Sequence, residues 1–411
     1  MKRLITGNSA AAWGARLADV DYVPAFPITP QTEIIEALAG WFASGELAGK
    51  FVTMDSEHSM VLAAGAAAAT GVRVFSATSS QGLVYALEAL YTVAGWRVPW
   101  VLANVSRGLA APITLGPDHN DLLAARDAGC VMIHAETCQE VLDSILMAYR
   151  IVEDPRVCVP AIVNLDGFLL SFTREPVELP DAAQARAFLP RFRAHHPPLR
   201  GSSPSAQGVA VLDGSSYSYF RAQLHLALTN ALAVHDEVAS EFERCFGRRW
   251  GVVDGVGLED AESVVVMMGS HATKARAAVA RWRARGRRVG LLRLRLLRPW
   301  PAAAIADALS GRRAVGVIDQ NLSPGLGGVL FHEVAASLGA AARRPAVLRS
   351  FIGGLGGKDL SDDELDHAIE ILEDAAPDVG PTAAELLFTA ADRAVVDVGL
   401  IAAGKRLEEV A

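Results

Sequence analysis

The chain has 411 residues, 51% of them hydrophobic and 20% charged, with a formal net charge of -8 at pH 7. That length exceeds one comfortable core and points to two domains, while the acidic balance excludes a general nucleic-acid binder, which needs a basic surface. The cysteines Cys130, Cys138, Cys158 and Cys245 stand too far apart for a CxxC pair. No zinc or iron–sulfur ligand set is therefore predicted, and they read as buried free thiols of a reducing cytoplasm. The longest apolar stretch, "VLAAGAAAATGV", is too short to span a bilayer, and Gly7, Asn8 and Ser9 interrupt any signal-peptide core. A soluble cytoplasmic protein with no membrane partner is expected.

From Tyr22, the β-rich runs "DYVPAF", "VRVFSAT", "PWVLANVS", "CVMIHAE" and "PAIVNLDG" alternate with helical patterns. Such alternation predicts an α/β fold, a largely parallel sheet with helices on both faces. The stretch "AFPITP", Ala25 to Pro30, carries the first run into the first helix. Thr29 is the expected N-cap, with Pro30 in the first helical turn. Ile34, Ile35, Leu38, Trp41 and Phe42 then repeat on one face. A less regular stretch, roughly 174–250, contains "HHPPLRGSSPSAQG". A second alternating block follows, with strands "SVVVMMGS", "VGLLRLRLLRP", "AVGVIDQ" and "AVLRSFI". Within it, "RWRARGRRVGLLRLRLLR", Arg281 to Arg298, alternates Arg with Leu in its second half as a half-buried strand would. Its arginines could face solvent, an interface or an anionic group, and a solvated face or a subunit contact is the expectation. The predicted domains are 1–235, including an extended linker, then 250–375, a smaller α/β domain, and 376–411, a helical tail.

Ligands of parallel α/β sheets sit beyond the C-terminal ends of the strands. Four loops stand there: "PITP" at 27–30, "DSEHS" at 55–59, "TSSQG" at 78–82 and "SRGLAAPITLGPDHND" at 106–121. The last is long and rich in Pro and Gly, as functional loops are. Glu57 opens an apolar helix, where a carboxylate suits the helix dipole or, buried, hydrogen-bonds a protonated ring nitrogen. Arg107 is a surface arginine or a guanidinium fork for a substrate carboxylate. His58 and His119 are weaker candidates, since a lone histidine is more often structural. The glycine-rich "SPGLGGVLFHE" and "GGLGGKD" lack the dinucleotide and Walker spacings and read as tight turns ahead of phosphate cradles.

Read in order, "AAAWGARLADVDYVPAFPITPQTEI", "DSEHSMVLAAGAAAATGVRVFSATSSQGL", "SRGLAAPITL", "RDAGCVMIHAETCQEVLDSILMAYRIVED", "VNLDGF" and "FIGGLGGKDL" resemble the α subunit of pyruvate:ferredoxin oxidoreductase and its 2-oxoacid relatives. These are thiamine-diphosphate enzymes that oxidise a 2-oxoacid with coenzyme A. The resemblance implies that Thr29 lies against thiamine and substrate, that Pro27, Ile28 and Gln81 line the cofactor, and that Glu57 pairs with its aminopyrimidine. That pairing favours the tautomer whose basic nitrogen removes the thiazolium C2 proton. Arg107 matches the arginine of the carboxylate-binding loop. The first domain would be the pyrimidine-binding half of a thiamine site, and the second a transketolase C-terminal-like domain.

No GDG motif with its asparagine pair, no ferredoxin-type cysteine run and no coenzyme A motif is found. The resemblance then implies a β-type subunit supplying the diphosphate and Mg2+ site. It further implies γ-type and ferredoxin-like subunits carrying [4Fe-4S] clusters, ferredoxin or another acceptor, and a chain inactive alone. Pyruvate is the default substrate. The alternatives are an aromatic or branched 2-oxoacid such as phenylglyoxylate, with electrons reaching NAD through other subunits, and a non-catalytic assembly subunit.

Overall fold

The chain begins with a strand, β1 (Lys2–Thr6), whose last hydroxyl accepts the Ser9 N–H at 3.1 Å and so starts α1 (Gly7–Leu17). The computed structural model describes residues 1–195, 197–339, 341, 343–376, 383–402 and 404. Of the expected tail, 377–382, 403 and 405–411 lie outside the described residues. The chain continues through β2 (Tyr22–Ala25), α2 (Thr32–Ser44), β3 (Lys50–Thr53), α3 (Glu57–Ala69), β4 (Phe75–Thr78), α4 (Gln81–Tyr85), α5 (Leu87–Trp96) and β5 (Val101–Ser106). Next come α6 (Asn120–Ala124), β6 (Val131–His134), α7 (Cys138–Val152), β7 (Ala161–Asp166), β8 (Arg174–Glu178), α8 (Ala182–Phe188) and α9 (Gly214–Phe246). After β9 (Val253–Val256) follow β10 (Ser263–Met268), α10 (Ala272–Ala284), β11 (Val289–Leu294), β12 (Leu296–Arg298), α11 (Ala302–Leu309), β13 (Ala314–Asp319) and α12 (Val329–Gly339). The last elements are β14 (Val347–Ile352), α13 (Asp362–Asp374), β15 (Glu385–Leu386) and α14 (Ala390–Ala402).

The chain divides into two compact units. One holds Met1–Asp254, Met268–Ser270 and Arg293–Ala304, and the other Gly255–Met267, His271–Leu292 and Ile305–Ala411. The first unit carries a five-stranded sheet ordered β12-β6-β7-β5-β4. β4, β5, β7 and β6 are mutually parallel, and β12 is added antiparallel at the edge. β5 and β7 are buried along their whole length, as strands covered on both faces must be. Because these strands are parallel, Thr78, Ser106, His134 and Asp166 end at the same edge of the sheet. β2 and β3 form a parallel pair, bridged to Val74 through Tyr22, and β1 pairs antiparallel with β8. The second unit has its own core and a sheet ordered β15-β14-β13-β10-β11-β9. No helix among the described residues is long and apolar enough to cross a membrane.

The structure corrects three sequence expectations. The stretch 174–250 is irregular only in part: the described residues of 189–213 form no helix or strand, but around them lie β8, α8 and the 33-residue α9, capped by Asp213 and closed by a left-handed Gly247. α9 buries one stripe, Leu224, Ala227, Ala231, Val234, Val238 and Phe242, at helical spacing. Only two of the four thiols are buried, Cys130 and Cys138, whereas Cys158 is half-buried and Cys245 exposed; all four are free. The glycine-rich segment before α12 is a turn, as read from the sequence, and not a phosphate cradle. Asp319 accepts the N–H groups of Leu330 and Phe331 at 2.8 and 3.1 Å, and Asn321 that of Val329 at 3.0 Å. The chain's own carboxylate thus takes the place an anion would have.

The third correction concerns the Arg/Leu strand. Arg293 and Arg295 face neither solvent nor a partner but are fully buried within the first unit. Both meet Glu140, itself buried in the first turns of α7: Arg295 Nε lies 2.6 Å from Oε1 and Arg293 Nη1 3.0 Å from Oε2. Arg293 also pairs with Glu136 at 3.0 Å. Burial alone would raise the Glu140 pKa, but the two guanidiniums outweigh it and hold the carboxyl below its ordinary value. Arg295 Nη1 further donates to His235 Nε2 at 3.0 Å. Burial, with the positive charges of Arg295 and Arg249, pushes His235 down to about 3.

A folded pKa below the unfolded value means that the unfolded chain takes up the proton first. Stability from a neutral His235 is therefore present above its ordinary value and lost as pH falls towards about 3. His235→Gln keeps an acceptor for Arg295 but cannot titrate. Urea unfolding of the full chain should show the wild type losing about 2 kcal/mol more than this variant between about pH 7 and about pH 5. Parallel pH dependences would mean that His235 is solvated.

Candidate active site

Four loops converge at the C-terminal edge of the first sheet, and Arg107, the residue after β5, ties three of them together. Its Nη1 donates to the Thr29 carbonyl at 2.8 Å and its Nη2 to Gln81 Oε1 at 2.5 Å. Arg107 is 7% exposed and its Nε–H has no partner among the described residues. Burial holds its pKa below the ordinary value, partly offset by Asp121.

Thr29 is not the helix cap. α2 starts at Thr32 behind Gln31, which makes no side-chain cap. The "PITP" turn is instead held from outside: Asn8, fully buried at the start of α1, donates to the Pro30 carbonyl at 2.8 Å, and Gln31 Nε2 donates to Phe26 O at 2.9 Å. This leaves the Thr29 side chain exposed, with Pro27 exposed and Ile28 half-buried beside it.

Glu57 stands where the sequence places it, as the first residue of α3 behind a Ser56 cap that accepts the Ser59 N–H at 3.2 Å. It is 6% exposed, and its carboxylate has no hydrogen-bond partner among the described residues. Gly82, next to Gln81, explains how a carboxylate fits there. A Cβ at Gly82 would overlap both Glu57 Oε1 and Thr78 Oγ1, so the position accepts no side chain. Thr78 Oγ1 and Ser79 Oγ are also buried without partners. An unpaired cationic N–H and two unpaired hydroxyls, buried on loops adjoining the Glu57 carboxylate, are costly unless a ligand completes them. Glu57, Gln81 and Arg107, with the Thr29 turn, thus form one group. Its donor and acceptor set suits a ring N–H on one side and a carboxylate anion on the other, which is the fit that thiamine and a 2-oxoacid require.

His58, the neighbour of Glu57 in α3, is instead paired with Glu88 at 2.8 Å. His119 lies in a buried cluster with Asp166 and His134: Asp166 Oδ1 is 2.9 Å from His119 Nε2 and 3.1 Å from His134 Nε2. Asp166 Oδ2 accepts from Ser270 N and Oγ at 2.7 and 2.5 Å. The three ligand atoms lie within 4.8 Å of one another, as in a cation site. Asn104 Nδ2, however, donates to Asp121 and to Asn164 Oδ1, which turns the Asn164 Nδ2 group towards His134 Nε2 at 3.1 Å. Nε2 lies equally far from Asp166 Oδ1, so it either donates to that carboxylate or accepts from Asn164, as its tautomer decides. Burial would depress His119, but the Asp166 carboxylate outweighs it and holds the imidazole above its ordinary value. The cluster is therefore an internal ion pair with His134 alongside. Sequence reasoning missed Asn8, Ser80, Asp121 and Asp166. Asp121 and Asp166 stood in the quoted stretches "PDHND" and "VNLDGF", but nothing local shows what they bind.

The family described as "Pyruvate flavodoxin/ferredoxin oxidoreductase, thiamine diP-bdg" matches residues 13–240, and "Pyruvate:ferredoxin oxidoreductase core domain II" matches 261–365. Pyruvate synthase subunit PorA of Methanothermobacter thermautotrophicus is 38% identical over 90% of this chain and 95% of its own. That of Methanocaldococcus jannaschii is 40% identical over 92% and 96%. Ketoisovalerate oxidoreductase subunit VorA of Pyrococcus horikoshii is 37% identical over 88% and 91%. Among solved structures, the 2-oxoglutarate:ferredoxin oxidoreductase of Magnetococcus marinus superposes with a TM-score of 0.70 at 19% identity, over 90% of this chain and 65% of that one. A split-gene transketolase does so with 0.53 at 13%, over 90% and 98%. At those identities the superpositions speak for the fold, a thiamine-diphosphate type. The sequence relationship carries more, because it runs through both matched segments and nearly the whole length of its relatives: the chain belongs to the pyruvate flavodoxin/ferredoxin oxidoreductase family.

Proposed function

We propose that this chain is the subunit of a 2-oxoacid:ferredoxin oxidoreductase that provides the pyrimidine-binding half of a thiamine diphosphate site, with pyruvate as its substrate. The observation that carries this reading is the unpaired, nearly buried Glu57 carboxylate at the head of α3, packed against Gly82 on the loop whose Gln81 holds Arg107. Thiamine diphosphate, when bound, supplies the carbon nucleophile for the 2-oxo carbon and takes the electrons released with carbon dioxide. Glu57 accepts the ring N–H and so sets which cofactor nitrogen is basic. Arg107 donates its free N–H groups to the substrate carboxylate, while Thr29 O and Gln81 keep its plane fixed. Pro27, Ile28 and Thr29 form the wall beside the ring. The diphosphate with Mg2+ falls to a β-type subunit. The [4Fe-4S] clusters and coenzyme A handling fall to γ-type and ferredoxin-like subunits, in a cytoplasmic complex.

The kinship with a ketoisovalerate oxidoreductase subunit supports a second reading, a branched 2-oxoacid at the same site. The test is a panel on the complex co-purified with this chain, given thiamine diphosphate, Mg2+, coenzyme A and a viologen dye. It compares pyruvate, 2-oxoisovalerate and phenylglyoxylate, with NAD as an alternative acceptor. Preference for pyruvate is expected. Reduction with no acid would make the chain an assembly subunit. In the same assay Arg107→Ala should raise KM for the acid by up to about 100-fold, the loss of one charge-assisted contact of about 2 to 3 kcal/mol, with a smaller effect on kcat. An unchanged KM would return Arg107 to a purely structural role.

A further inference from the structure

We infer that Ser80, anchored by the buried carboxylate of Asp121, is a positioning residue that sets the orientation of Arg107 and thereby the affinity for the substrate carboxylate. The inference rests on the reading of Arg107 given above and adds residues that the reading does not need. Ser80 is fully buried and has φ 49° and ψ -119°, a conformation that residues with a Cβ rarely adopt and glycine adopts freely. A strained non-glycine residue persists where its surroundings over-determine it, and here both ends of Ser80 are held. Its backbone N–H donates to Asp121 Oδ2 at 3.0 Å. Asp121, fully buried, also accepts Asn104 Nδ2 at 3.1 Å, Ser106 Oγ at 2.9 Å and the Leu122 N–H at 2.7 Å. These donors come from β5, the start of α6 and the loop after β4, so one carboxylate fixes three segments.

The side chain of Ser80 then explains why glycine does not stand there. Its hydroxyl is 2.6 Å from Gln81 Oε1 and 3.0 Å from Gly108 O. Gln81 Oε1 is the acceptor of Arg107 Nη2, and Gly108 is the residue after Arg107. The single hydroxyl proton therefore lies between the arginine's side-chain partner and the carbonyl of the residue that follows it, and donates to one of them at a time. A structural role alone would change stability and leave substrate affinity untouched, whereas a positioning role acts through the guanidinium.

The test is a double-mutant cycle in the assembled complex, with Ser80→Ala, Arg107→Ala and both together, measuring KM and kcat for pyruvate and the thiamine diphosphate dissociation constant. Ser80→Ala should raise KM for pyruvate about 10-fold, a loss smaller than removing the guanidinium, and change kcat and cofactor affinity less than about 2-fold. In the Arg107→Ala background it should add nothing, because residues acting through one another are not additive. An unchanged KM in Ser80→Ala, or the same increase in both backgrounds, overturns the inference while leaving the role of Arg107 standing. If Arg107→Ala itself leaves KM unchanged, the reading of the site fails and the inference with it. Should Ser80→Ala fail to assemble, Ser80→Gly suits the backbone and still deletes the hydroxyl, and it is held to the same outcomes.

Discussion

Glu57→Gln is expected to lower pyruvate-dependent dye reduction by the assembled complex by a factor of about 100 to 10,000, the range of a lost proton-transfer partner. The change is isosteric and breaks no internal hydrogen bond, since the carboxylate has none among the described residues. No ion pair among the described residues is lost either, so the unfolding midpoint should stay close to that of the wild type. The competing view of Glu57, a charge complementing the N-terminus of α3, predicts the reverse pattern: a loss of up to about 1 kcal/mol of stability with turnover intact. Measuring both on one preparation separates the two, and near-wild-type turnover would remove Glu57 from the cofactor.

The largest stability effect belongs to Glu140→Gln. Glu140 is the common partner of Arg293 and Arg295, all three at most 1% exposed, with Glu136 at 3.0 Å and Asp254 at 3.8 Å as further carboxylates on Arg293 alone. Neutralising it leaves buried positive charge uncompensated, and urea unfolding of the full chain should show a loss of about 3 to 5 kcal/mol. Adding Arg293→Met and Arg295→Met to that variant should recover much of the loss, because an apolar replacement of a whole buried ion cluster is often nearly neutral. A loss below about 1 kcal/mol would mean that water reaches the cluster.

Much of the fold was legible because it is local. The apolar runs of β4, β5, β6 and β7 and the helices between them have the periods of a covered parallel sheet, and that architecture alone places the four loops at one edge. Glu57 could be placed at a helix start because Ser56 caps that helix within the same stretch. The family resemblance, resting on ordered motifs, named Thr29, Gln81 and Arg107 as a group, and the structure brings Arg107 to the Thr29 carbonyl and to Gln81.

What the sequence by itself determined is therefore what short-range periodicity, capping and motif order encode: the α/β class, the loops of the site and the residues that open them. Tertiary structure alone decided the fate of charges and polar groups, because their cost depends on partners far along the chain. Arg293 and Arg295 read as a solvent-facing stripe until Glu140, 153 and 155 residues away, neutralises them inside the protein. Thr29 reads as a cap until Asn8 and Arg107, 22 residues from Pro30 and 78 from Thr29, hold the turn open. Ser80 reads as an ordinary loop serine until Asp121, 41 residues on, pins its backbone and so aims the hydroxyl that braces Arg107. A hydrophobic pattern repeats within one element and can be read there, whereas a buried charge or hydroxyl is stable only by virtue of groups that folding brings to it.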